Sequence, residues 1–275
     1  MQAGEGSLSG SRRIRGASTL EAALGRERAV IVAALAGVVV VAWAYILAGA
    51  GLEMPVDAPD GTPGVMAPMA WTPGYAVLVF FMWWVMMIAM MLPSAAPMIL
   101  LFATLDRGRR GRGASVAPAG AFALGYLVAW GGFSLVAAAL QWGLGAASLL
   151  SPAMASTSAV LGGVILAAAG VYQLTPLKQA CLRHCRAPFL FLSQRWRAGR
   201  LGAIRMGIEH GAFCLGCCWV LMGLLFVGGV MNPYWIVGLA VFVLLEKTIP
   251  AGRGLGWLGG GALIAWGVAM IAIAL

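Results

Sequence analysis

Residues 75–104 read YAVLVFFMWWVMMIAMMLPSAAPMILLFAT, thirty positions without an Asp, Glu, Lys or Arg. About 20 apolar residues in a helix cross the hydrocarbon core of a bilayer. The strands of a membrane β-barrel would instead alternate apolar and polar positions in segments of about ten residues, and no such alternation is present. The stretch therefore reads as a transmembrane helix. The rest of the chain agrees with it: of 275 residues 61% are hydrophobic and only 10% charged, and the mean hydropathy is +0.91. A soluble domain carries about 25% charged residues, so this chain lacks the polar surface to coat a water-facing globule.

Working outward, hydropathy predicts an all-α, polytopic transmembrane bundle of about seven helices, near 29–52, 75–104, 116–146, 156–174, 206–230, 234–249 and 256–275. The sixth is short for a full crossing. Residues 1–28, rich in Gly, Ser and Arg, are expected to form a basic, disordered cytoplasmic tail without a cleavable signal peptide. Residues 29–275 form the single membrane domain, with a cytoplasmic loop at 175–205. All 18 Lys and Arg fall before the first apolar run or in the connections after the second, fourth and sixth. The loop of residues 53–74 carries Glu53, Asp57 and Asp60 instead. Basic loops stay in the cytoplasm, which predicts a multi-pass protein with its N-terminus inside and its C-terminus outside. The net charge of +9 then reports orientation and contact with anionic lipid heads, not nucleic-acid binding.

Chemistry is concentrated in few residues. The chain has five Cys and two His. On the fifth run His210, Cys214, Cys217 and Cys218, with Met206, share about 120° of one helical face. Residues three or four apart sit on adjacent turns, and thiolate with imidazole suits Cu(I), with zinc as the alternative. Glu246 is expected at matching depth, as an oxygen ligand or as the acceptor that fixes the His210 tautomer; the alternative is a pair with Lys247 or Arg205. Met86 and Met90 step along one stripe of the second run beside Met91, where thioethers could line an approach. Pro93 is expected to break that helix and free carbonyls and the Ser94 hydroxyl. In the cytoplasmic loop, Cys181, His184 and Cys185 could exchange the ion with a donor or acceptor protein. Gly132, Gly162 and the triplet Gly259, Gly260 and Gly261 suit close helix packing.

Other chemistries find no support. There is no phosphate-cradling Gly-rich loop, no C-x-x-C-H haem attachment and no G-x-S-x-G elbow.

Three runs together carry a resemblance: Met86 to Ser94; Tyr172 to Lys178 continuing through Cys181, Leu182, Arg183, His184 and Cys185; and Gly207 to Gly211 continuing through Cys214 to Trp219. With Leu244 to Lys247, they resemble an uncharacterised bacterial family of predicted metal-binding integral membrane proteins over about residues 70–255. The resemblance implies a metal and the bacterial inner membrane. The family pattern places Arg or a similar residue near position 209, where this chain has Glu209. Three functions remain open: soft-metal binding, transfer or transport, most directly of Cu(I); a membrane thiol oxidoreductase or metal-dependent oxidase; and an accessory subunit of a larger membrane complex.

Overall fold

A computed structural model of the chain describes residues 5–50, 71–110, 117–151 and 154–275. Ten helices follow one another: α1 (Glu5–Leu47), α2 (Pro73–Arg110), α3 (Ala117–Ala146), α4 (Ala159–Leu174), α5 (Pro176–Arg186), α6 (Pro188–Arg195), α7 (Gly199–Gly223), α8 (Leu225–Gly228), α9 (Pro233–Thr248) and α10 (Gly252–Ala274). The described residues contain no strand, only an isolated bridge between Leu150 and Ser156. The all-helical class expected from hydropathy is the observed one. Glu53, Asp57 and Asp60 lie outside the described residues, and the first helix begins at Glu5, far upstream of residue 29.

Among the described residues five segments are long and apolar enough to cross a membrane: Gly25–Leu47, Pro73–Arg109, Pro118–Ala146, Gly199–Gly228 and Gly252–Ala274. A sixth arises if α4 and α5, which meet at 64°, count as one bent span. At sixteen residues, α9 is too short to join them by length. Apolar side chains cover the outside as well as the core. Val40, Val41, Leu135, Trp257 and Leu258 are all exposed, which water does not favour over so many contiguous positions and a lipid environment does.

Prolines set the breaks in the second half. The residue before a proline is pushed out of the helical region. Thr175, before Pro176, is extended (φ −71°, ψ 147°); it ends α4 and caps α5, its hydroxyl accepting from the Lys178 amide. Ala187 before Pro188 separates α5 from α6 in the same way. Two helices therefore occupy most of the stretch read from hydropathy as a cytoplasmic loop. Pro93 and Pro97 behave differently, because α2 runs through both. The expected break at Pro93 does not occur: a proline inside a helix is tolerated where neighbouring helices pack around it, and Met90, Met91, Leu92 and Ala95 are all buried there. In the same turn the Met91 carbonyl accepts from Ser94 Oγ at 2.8 Å and from Tyr126 OH at 3.1 Å.

Close backbone approach joins the helices in pairs. A Cβ added at Gly207 of α7 would lie 2.0 Å from the Phe122 carbonyl oxygen of α3, and one at Gly170 of α4 would lie 2.5 Å from that of Gly260 in α10. Small residues let lipid-embedded helices meet at this distance. Of the glycines singled out by sequence, Gly260 and Gly259 pack closely, whereas Gly132 and Gly261 have nothing within 4 Å.

Candidate metal centre

The α7 face drawn from helical spacing is real and inward. Cys214, Cys217 and Cys218 are each 1% exposed and His210 is buried with them. The Cys217 and Cys218 thiols both turn back along the helix and donate to the Cys214 carbonyl, at 3.1 and 2.9 Å. Cys218 Sγ also lies 3.9 Å from the Met91 sulfur. Met86 and Met90 are buried in the same core, but it is Met91 whose thioether reaches a cysteine.

The unexpected contribution comes from α5. This helix folds back along α7, so that the motif read as a separate cytoplasmic exchange site joins the sulfurs of α7. Cys185 is brought beside Cys214 and Cys217, close enough for their thiols to interact. Cys181 rests on Gly216, where an added Cβ would stand 2.6 Å from its sulfur; the Gly216 carbonyl accepts from Tyr172 OH. His184 stacks on Phe213 with ring centroids 4.0 Å apart, its Nδ1 fixed at 2.9 Å from the Ala180 carbonyl oxygen. All five cysteines therefore belong to α5 and α7, and all are free thiols. Beside them an open cleft of about 290 Å³ is bordered by Arg183, His184, Arg186 and Phe191.

Three side chains from other helices complete the surroundings of Cys214. Lys247 Nζ of α9 lies 2.9 Å from Cys214 Sγ and 3.2 Å from Ser94 Oγ of α2. Tyr126 OH of α3 lies 3.1 Å from the same sulfur. A positive charge so close, in a poorly solvating interior, compensates a negative charge on sulfur. Hydropathy counted Lys247 among the loop cations, although a lysine next to a glutamate inside an apolar run is itself the signal of a buried role.

His210 is held between Phe122, Tyr126 and Phe191, with ring centroids 6.1, 5.8 and 5.5 Å away. Among the described residues its Nδ1 is buried without a hydrogen-bond partner, and such an atom is costly.

Two carboxylates are engaged elsewhere. Glu246 is 1% exposed, and its Oε2 lies 2.7 Å from the buried Lys178 ammonium. Its Oε1 accepts from Gln173 Nε2 at 3.4 Å, and Lys178 also bonds Gln173. This carboxylate therefore pairs with Lys178, and not with His210, Lys247 or Arg205. Glu209 faces outward to Arg195, Arg197 and Arg205, at 3.3, 3.2 and 3.5 Å. Among the described residues no group of three or more His, Cys, Asp or Glu side chains is disposed to hold a metal ion as it stands.

A protein-family comparison agrees with this chemistry. Residues 80–270 match the PpoB2 family, described as copper chaperones, and the chain belongs to that family. The matched region runs from α2 into α10 and contains every cysteine and both histidines. No curated protein and no solved structure matches the chain.

Proposed function

We propose that this chain is a multi-pass membrane protein that takes up Cu(I) at the seam between α5 and α7 and hands it on. The convergence of Cys185 of α5 with Cys214 of α7, in a family described as copper chaperones, carries the reading. Copper is the cargo, held by two sulfurs from different helices. Cys217, Cys218 and the Met91 thioether stand within exchange distance, and His210 Nδ1 offers a further donor. The cleft beside His184 is the route from the basic face, where a metal donor or acceptor protein would dock. The N-terminus lies in the cytoplasm of a bacterial cell, the C-terminus outside, and α4 with α5 and α9 complete a seven-pass topology in the inner membrane.

The test is elemental analysis of tag-free protein purified in detergent. The wild type is expected to carry about one copper per chain, and Cys214→Ser or Cys185→Ser to lose it. Equal copper in wild type and both variants would overturn the assignment. Two thiols facing one another across helices also fit thiol redox chemistry; in that case trapping would find a reversible Cys185–Cys214 disulfide and no bound copper.

A further inference from the structure

We infer that Lys247 selects the charge of the ion this cysteine cluster accepts, favouring a soft monovalent cation over a soft divalent one. The inference rests on the copper reading and adds to it a residue that touches no cargo-binding backbone and carries no soft donor atom.

Three observations lead there. Lys247 is 8% exposed, and its ammonium lies 2.9 Å from Cys214 Sγ. Its neighbour Glu246 is engaged by Lys178, so the anion-forming group at hand is the Cys214 thiol. The Cys217 and Cys218 thiols are occupied in donating to the Cys214 carbonyl, which leaves Cys214 and Cys185 as the pair that can meet across two helices. When an ion binds between them, each sulfur ends as a thiolate and any remaining thiol proton goes to solvent. Two thiolates, one ammonium and one monovalent cation are together neutral. With a divalent cation one positive charge is left over, in an interior that solvates it poorly. If the ammonium is removed, the balance reverses, and the divalent complex becomes the neutral one. Ser94 Oγ, 3.2 Å from the same nitrogen, holds the ammonium in place while the sulfur changes partner.

Ag(I) and Cd(II) separate charge from softness, since both prefer sulfur and neither changes oxidation state in the assay. Full-length, tag-free protein in detergent would be titrated with each ion against a competing chelator, following the thiolate-to-metal absorption in the ultraviolet. The wild type is expected to prefer Ag(I). Lys247→Met should move the Ag(I)-to-Cd(II) affinity ratio toward Cd(II) by about 100-fold, the scale of one uncompensated buried charge. Lys247→Arg, which keeps the charge, should leave the ratio within about threefold of wild type. If Lys247→Met does not yield folded protein, Lys247→Gln, neutral but able to bond Ser94, carries the same expectation. An unchanged ratio in a folded neutral variant overturns the role of Lys247 while leaving the copper reading intact. Wild-type protein that binds neither ion overturns the copper reading itself, and the inference with it.

Discussion

A thiol set between an ammonium and a phenol is a different reagent from one packed among methyl groups. Cys214 has Lys247 and Tyr126 as neighbours, at 2.9 and 3.1 Å, whereas Cys217 and Cys218 are bonded to the backbone of their own helix. The other buried ionic pair, Lys178 with Glu246, does structural work. Removing one partner leaves an uncompensated charge among apolar atoms, at a cost of about 3–5 kcal/mol. Lys178→Met or Glu246→Met should therefore lower the melting temperature in detergent sharply, and the double substitution should lower it less than either single one. A double variant as unstable as the sum of the singles would remove this account. At this scale the sequence was legible where the signal is local. His210, Cys214, Cys217 and Cys218 are neighbours on one helix, and their spacing alone found them. Lys247, Tyr126 and Cys185 come from three other helices, and no spacing within one segment reports that they meet. Glu246 was noticed for being charged in an apolar run, but its partner was hidden because Lys178 had been counted with the solvent-facing loop.

Among the elements, α5 is where hydropathy misleads most. Its low mean apolarity places it outside a bilayer, yet Lys178, Cys181, Leu182 and Cys185 recur at i, i+3, i+4 and i+7, the pattern of an amphipathic helix. Thr175 and Pro176 mark its start as a capping residue followed by proline. That pattern was available and would have turned the cytoplasmic motif toward α7. Gly216 is the seat for this helix, because any side chain there meets Cys181. Gly216→Ala is expected to cost about 1–3 kcal/mol by overpacking. It should also raise the alkylation rate of Cys181 several-fold while leaving that of Cys218 unchanged. Equal rates at Cys181 before and after the substitution would show that the glycine does not seat α5. The proline readings diverge for a physical reason. Pro176 and Pro188 sit where the chain turns, whereas Pro93 lies in the interior of α2 among buried residues, with Leu92 and Ala95 in the core.

For the whole molecule, the sequence conveyed the all-helical class better than the helix count. Apolar length is a property of one segment: it placed α3 and α10 to within four residues at both ends, while α1 starts at Glu5 instead of 29 and α7 spans Gly199–Gly223 instead of 206–230. Which segments cross is decided by packing: α9 is short, and α4 bends by 64° into α5. Two of the basic residues used to assign orientation, Lys178 and Lys247, are buried inside the protein. The expected orientation therefore rests on the Arg residues alone. A periplasmic-reporter phosphatase fused after Leu275 is expected to be active, and the same reporter fused after Arg197 inactive. The reverse pattern would invert the topology.

Glu246 and Lys247 are adjacent on α9, and adjacent helical residues diverge by about 100°. One therefore grips α5 through Lys178 while the other holds the sulfur of Cys214. On the proposed function, swinging α5 away would strain the same turn of helix that an arriving ion would disturb in taking Cys214 from Lys247. The two events would then be linked: whatever factor a loosened α5 applied to ion release, a bound ion would apply to the loosening of α5. A docking partner that pulls on α5 would then need no metal ligand of its own to make the protein let go.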